Sequence, residues 1–512
     1  MRRILLLALC AACGGPRGGA EEPEATREEE IPLPPLPWVT PTSPAADHVV
    51  ESPSVMLRGA TVMTASGDIL ENGSVLFEDG RIVAVGQGIP VPEGCEVVDA
   101  SGRWITPGLI DTHSHVGVYP SPGAAAHADG NEATSPTTPQ VDASDSFWPQ
   151  DPAIPRLLAA GVTTIQVLPG SANLIGGRGF TVHLVPQRSA EEMHFPGAPD
   201  GMKMACGENP KRVYGERHSA PSTRMGNVAG YRAAFQGAAE YRIAWRTWQE
   251  QWRGWRRKRI AFERARDAGT ADAGEQESRY GVAVDAGPTK APAPEDPGPE
   301  PPPPGRDFGK DALVGVMEGT VLVQNHCYRA DEMLRMIELG REFGFRIRSF
   351  HHAVEAYKIR DVLAREEVAV STWSDWWGFK LEAYDSVLEN LALLAEAGAR
   401  GVLHSDSPMY VQRFNQEAAK AMFDGRAAGI DIPENTALRW ITANPAWVLG
   451  IHERTGTLEP GKVADVVVWS GSPWSVYTRV DQTWIDGRLA YDRAHPERTP
   501  RTDFEVGLGV DP

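Results

Sequence analysis

The sequence predicts an α/β fold: a TIM-like (β/α)8 barrel with a small β-sandwich domain built from both chain ends. Three observations predict it. Short β-rich runs split by Gly and Asp-Gly turns occupy both ends of the 512-residue chain. Between them, apolar β-type runs alternate with helical stretches, and repeated β-then-α order argues for a parallel sheet. Several middle runs end in histidine or aspartate, and in such barrels chemistry gathers where strands end.

The first element is the leader. MRRILLLALCAACGG opens with two arginines, a short apolar run and small residues before a cysteine. The apolar run is too short to span a bilayer, so residues 1–13 read as an export signal. The segment resembles a bacterial lipoprotein leader, in which the cysteine becomes lipid-modified. Ala11 and Ala12 before Cys13 suit the small-residue rule, and Leu7 three places before Cys10 suits the apolar −3 rule. The expectation is an exported, periplasmic or outer-membrane-associated lipoprotein of a bacterium, with plain secretion as the alternative. Of the five cysteines, Cys95, Cys206 and Cys327 lie beyond the leader. They are too few and too scattered for a disulfide framework, and they are expected to be unpaired.

Residues 14–50, rich in Gly, Glu and Pro, read as a flexible tether. The β-rich runs SVMLRGATVMTASG, GSVLFEDGRIVAVG and EVVDASGRWITPG place one half of the sandwich in residues 51–107. GTLEPGKVADVVVWSG and VDQTWIDGRLAYD place the other half in residues 451–495, before a tail over 496–512. The barrel spans residues 108–450, with β-type runs GLIDTHSH, GVTTIQVLPG, GMKMACGENP, GTVLVQNH, FRIRSFHH, EVAVSTWSD and GVLHSDSP. An insertion over about 231–306 breaks this rhythm with a helix and then a Pro-rich linker. In that helix Trp245, Trp248, Trp252 and Trp255 recur at helical spacing. A packing stripe is the first reading, and a membrane-surface helix the second.

The strand ends carry the chemistry. His113 and His115 share one face of a strand because the pleat has period two. His326, His352 and Asp406 close later β-type runs. Imidazole and carboxylate suit Zn²⁺ and similar divalent ions, Fe²⁺ and Mn²⁺ included, and this set is large enough for one or two of them. Two residues are candidates for a bridging group: Lys203 if carbamylated, and Glu208 as it stands. His351, His404 and His127 are read first as hydrogen-bonded structural residues, with His404 kept as a partner of Asp406.

Together these motifs resemble the amidohydrolase superfamily of metal-dependent hydrolases, and within it the imidazolonepropionase-like amidohydrolases. The motifs are PGLIDTHSH, GVTTIQVLPGSANLIGGRG, KMACGENPKRVYG, NHCYRADEM, FHHAVEAYKI, STWSDWWGFKLEAYDS, HSDSP and GTLEPGKVADVVVW. The resemblance runs from about residue 54 to about 493. It implies that His113, His115, His326 and His352 are metal ligands and that Asp406 is the catalytic aspartate.

The implied reaction is hydrolysis of an amide, peptide or cyclic amide C–N bond by metal-activated water. The substrate is a small molecule or short peptide. Asn173 and Arg178 in a glycine-rich stretch, with Tyr328, Arg329 and Trp376, are candidate substrate contacts. For Arg329 a salt bridge at a helix start is the competing reading. A deaminase on the same scaffold is one alternative. It lacks a glutamate close after His326, and Glu332 is expected on the helix exterior. A catalytically silent anchored binding protein is the other alternative. A formal charge of −18 argues against nucleic acid as a partner. Homo-oligomer contacts through the insertion are an open expectation.

Overall fold

The computed structural model describes residues 31–38, 51–121, 123–272 and 294–498. The leader with Cys10 and Cys13, most of the 14–50 tether, residues 273–293 of the insertion and the tail from 499 lie outside the described residues. Two compact units are present. The larger holds described residues 36–246 and 304–498, and the smaller holds 31–35, 247–272 and 294–303.

In the larger unit both chain ends contribute to one sheet. From the N-terminal side come β1 (Val55–Met63), β2 (Ile69–Glu78), β3 (Arg81–Gly86), β4 (Glu96–Asp99) and β5 (Trp104–Pro107). The C-terminal side gives three more strands, here numbered after the barrel strands β6 to β13: β14 (Val466–Trp469), β15 (Val480–Ile485) and β16 (Arg488–Asp492). The order is β16-β15-β14-β5-β1-β2-β3, with β4 on β1. The two halves meet where β5 and β14 pair antiparallel, Pro107 opposite Val466. Leu57, Val75, Phe77, Ile105, Val466 and Trp484 share one buried cluster, so a single apolar core ties the ends together.

The second sheet is the barrel. Its strands are β6 (Leu109–Ser114), β7 (Val162–Val167), β8 (Ile175–His183), β9 (Gly201–Ala205), β10 (Leu322–Cys327), β11 (Ile347–His352), β12 (Ala369–Thr372) and β13 (Gly401–Leu403), paired in that sequence. The ends close on each other. The Asp406 N–H donates to the His113 carbonyl at 3.0 Å, and the Ser405 N–H donates to the Asp111 carboxylate at 3.1 Å.

The sheet departs from an all-parallel barrel at β8, which runs antiparallel to both β7 and β9. Only residues 168–174 separate β7 from β8, too few for a crossover helix. The glycines of IGGRGFTVH serve close packing between strands. A Cβ on Gly179 would lie 2.5 Å from the Val167 carbonyl oxygen, and Gly177 has φ +115°.

The expectation of unpaired cysteines is overturned. Cys206, just past β9, and Cys327, the last residue of β10, form a disulfide with Cα atoms 5.3 Å apart. They are 121 residues apart in the chain, so only the pairing of their strands brings them together. Cys95 is free.

The insertion helix runs Arg224–Asp272, beginning before the expected 231. In the larger unit its Tyr231 hydroxyl donates to the Leu174 and Ala205 carbonyls. In the smaller unit the tryptophan stripe packs on the Pro-rich segment. The indole N–H groups of Trp248, Trp252 and Trp255 donate to Pro301 O (2.8 Å), Glu300 Oε1 (2.6 Å) and Gly298 O (3.0 Å). Among the described residues no helix is long and apolar enough to cross a membrane.

Candidate metal centre

His113 and His115 leave the end of β6 on the side where β13 closes the barrel. His115 donates its Nδ1–H to the Leu168 carbonyl at 2.8 Å. That fixes Nε2 as the lone-pair nitrogen, and Nε2 lies 3.2 Å from Asp406 Oδ1. His113 Nε2 is 3.6 Å from the same oxygen and 3.1 Å from Lys203 Nζ. Its other nitrogen meets His351 Nδ1 at 3.0 Å, and His351 Nε2 donates to Gln324 Oε1 at 2.8 Å. A carboxamide two residues before His326 therefore sets the tautomer of His351 and, through it, of His113. Sequence reading missed Gln324; its spacing of two from His326 was the available signal.

Consecutive strand residues point to opposite faces, yet His351 and His352 both turn inward. The reason is backbone. His352 has φ +70° and Ala353 φ +39°, so the pleat breaks at the strand end. His352 then stands beside His326, ring centroids 4.4 Å apart, and stacks on Trp373 at 4.5 Å. Asp406 also has positive φ, +51°. Left-handed backbone at non-glycine residues costs about 1–3 kcal/mol each and clusters at functional sites.

Electrostatics follow from burial. Burial holds His113, His326, His351 and His352 well below the ordinary histidine range, and neighbouring cations and imidazoles add to it. These rings are neutral and available as donors. Burial also lowers Lys203 to about 8. Burial pushes the Asp406 carboxyl upward, and neighbouring positive charge, Lys203 included, holds it below its usual value.

The donor set fits a divalent metal. Ligand atoms of His113, His115 and Asp406 lie within 4.8 Å of one another, as do those of His113, His352 and His404. The Nδ1 atoms of His326, His352 and His404 are buried with no hydrogen-bond partner. Of the two bridging candidates, Lys203 Nζ lies 3.1 Å from His113 Nε2. Glu208 opens the helix Glu208–Glu216 and faces Lys380 Nζ at 3.3 Å. His404 Nε2 accepts from the His352 N–H at 3.2 Å.

The substrate candidates divide. Tyr328 is edge-on to His326 and stacked on His352, at 4.9 and 5.2 Å between centroids. Trp376 packs on Trp373 at 4.7 Å, with Phe379 and Tyr410 against it. These rings form an aromatic wall beside the histidines, and Lys380 Nζ lies 4.0 Å over the Tyr328 ring. Asn173 and Arg178 are elsewhere. Asn173 is buried, donating to Glu132 O and Thr138 Oγ1 and accepting from the Tyr214 hydroxyl. Arg178 pairs with Asp142 (2.9 Å) and Asp200 (3.1 Å), contacts that hold β8 in place. Arg329 forms a two-point salt bridge with Asp331 at the start of its helix. Glu332, expected on the exterior, faces Arg224 Nε at 2.9 Å.

Comparison with known proteins follows from this geometry. The fold matches the crystal structure of an amidohydrolase from Thermotoga maritima MSB8, 34% identical, with TM-score 0.69 over 86% of this chain and 100% of that one. The chain belongs to the amidohydrolase superfamily. The model of the amidohydrolase family matches residues 306–491, from before β10 to β16. Amidohydrolase tasK of Hapsidospora irregularis is 35% identical over 439 residues, 82% of this chain and 40% of that protein. Imidazolonepropionase of Mesorhizobium japonicum is 35% identical over 121 residues, 20% of this chain and 29% of that protein. The chain thus spans less than half the length of these two curated relatives. In this amidohydrolase the metal-type residues and the aromatic wall share one end of the barrel.

Proposed function

We propose that this amidohydrolase hydrolyses a C–N bond of an amide, a small peptide or a cyclic amide. The observation that carries the reading is the convergence of His113, His115 and Asp406 with Lys203, His326 and His352 beside one aromatic wall. These six residues would hold one or two divalent ions, zinc first and iron or manganese next, by donor type. A bound divalent ion supplies Lewis acidity and lowers the pKa of water toward about 7.

The chain's own residues do the rest. Asp406 accepts the proton of the attacking water and passes it to the leaving nitrogen. His115, anchored through its Nδ1–H to the Leu168 carbonyl, would hold the ion through Nε2. Lys203, carbamylated by carbon dioxide with loss of a proton, would supply a carboxylate to hold the ion or ions, with Glu208 the alternative. Tyr328, Trp373 and Trp376 bind an apolar part of the substrate and exclude water from it.

A screen of dipeptides, N-acyl amino acids and cyclic amides on metal-loaded protein tests the reading. Hydrolysis of at least one class is the expected result. Ammonia release from an aminated ring alone would instead make the chain a deaminase, and metal-free protein that gains nothing on loading would end both readings. Export and lipid anchoring belong to the same proposal: Cys13→Ser should release the protein from membranes, and retention would assign the anchor to Cys10 or another segment.

A further inference from the structure

The barrel carries a second polar cleft at its other end. Arg348 is the second residue of β11, and Arg400 immediately precedes β13. His352 and His404 lie four residues further along, about 13 Å away at strand rise. The cleft there measures about 630 Å³ and is lined by Arg400, Arg439, Asn444, Trp447, His452 and Lys462, among others.

Its charges do not balance. The Arg348 and Arg400 guanidinium groups lie 3.2 and 3.9 Å from the Trp447 ring centroid. Stacking fixes a guanidinium plane and leaves its N–H edge available. Arg348 spends that edge on the Trp447 and Val448 carbonyls. Arg400 and Arg439 have no carboxylate within ion-pair distance among the described residues. The carboxylates nearby are committed elsewhere: Glu453 to His452 Nε2 at 3.2 Å, Glu459 to Lys462 Nζ at 3.2 Å, and Glu367 to Arg346 at 3.8 Å. Three cations, Arg400, Arg439 and Lys462, thus face the two lining carboxylates, an excess of positive charge in a chain of formal charge −18. His452 Nδ1 is buried with no partner. Burial and then the Arg439 charge lower Arg400, with Glu367 opposing them.

We propose that this cleft binds an oxyanion of the phosphate class between the Arg400 and Arg439 guanidinium groups. Two N–H forks and a divalent anion match in charge and in geometry. The end of a barrel where strands begin carries stability more than chemistry, so the anion joins the segments around 400, 439 and 447–462 rather than entering the reaction.

The test is calorimetric titration of the full chain with inorganic phosphate at fixed ionic strength. One saturable site is expected, absent with chloride, and at least tenfold weaker in Arg439→Gln and in Arg400→Gln. Arg439 is exposed at the end of its helix, so its substitution keeps the fold; circular dichroism verifies this, and Arg439→Gln decides should Arg400→Gln unfold. No saturable heat would overturn the proposal. So would unchanged affinity in Arg439→Gln, which would place the anion elsewhere, the histidine end included.

Discussion

The Nδ1 atoms of His113 and His351 face each other at 3.0 Å, and the Gln324 carboxamide oxygen fixes the far side of His351 at 2.8 Å. The relay leaves His113 Nε2 as a lone pair directed toward Lys203 and Asp406. Gln324→Leu removes the acceptor that sets the relay. Metal affinity should fall about 10–100-fold, the usual cost of losing a group that orients a ligand. Gln324→Glu keeps an acceptor and should recover part of it. A competitive chelator titration measures both, and equal affinity in Gln324→Leu and wild type would remove the relay from metal binding.

Asp406 belongs to the proton path and to the ligand set together. Asp406→Asn keeps the size and one donor oxygen but cannot accept a proton. Turnover should fall by about 10²–10⁴-fold, while elemental analysis finds at least one metal equivalent retained. Activity within a few-fold of wild type would place the base elsewhere.

Lys203 is a cation-forming residue in a cluster of neutral imidazoles, 1% exposed. Lys203→Met retains length and apolar packing but cannot take up carbon dioxide. Metal content should drop from about two equivalents toward one. Labelled bicarbonate should give a carbamate carbon signal in wild type and none in the variant. Full metal content in Lys203→Met would return the bridging role to Glu208.

Much of this centre was legible in the sequence because strand ends advertise themselves. An apolar β-type run followed by histidine or aspartate needs no tertiary knowledge, and that singled out His113, His115, His326, His352 and Asp406 as candidates. What escaped depends on backbone geometry or on distant pairing. Alternation cannot send His351 and His352 to one interior; the positive φ at His352 does. The glycines around Arg178 suggested a substrate contact, whereas close strand contact in β8 demands them. Cys206 and Cys327 meet only because β9 and β10 are neighbours.

That disulfide closes a loop of 121 residues beside Lys203 and His326. Loop-closure entropy assigns it about 3–5 kcal/mol of stability. Cys206→Ser with Cys327→Ser should lower the denaturation free energy by this order, read by urea titration under non-reducing conditions. Reduction of wild-type protein should have the same effect and leave the double variant unmoved. A reductant-insensitive wild type would mean that the bond contributes nothing.

At the base of the barrel, His183 Nε2 is 3.0 Å from Asp465 and its Nδ1 is 3.4 Å from Asp486. Burial alone would discharge this ring. The two carboxylates outweigh burial and hold it at about 9, above the ordinary histidine value of 6.5. Between those pH values the folded chain binds a proton that the unfolded chain has lost, so stability falls as pH rises. The contribution is whole below pH 6.5 and gone above 9, and its size is about 3 kcal/mol. His183→Asn should therefore be less stable at pH 6 and show a flatter decline from pH 6.5 to 9. Urea denaturation across that range measures both, and parallel curves for the two proteins would mean that His183 is neutral in the folded chain.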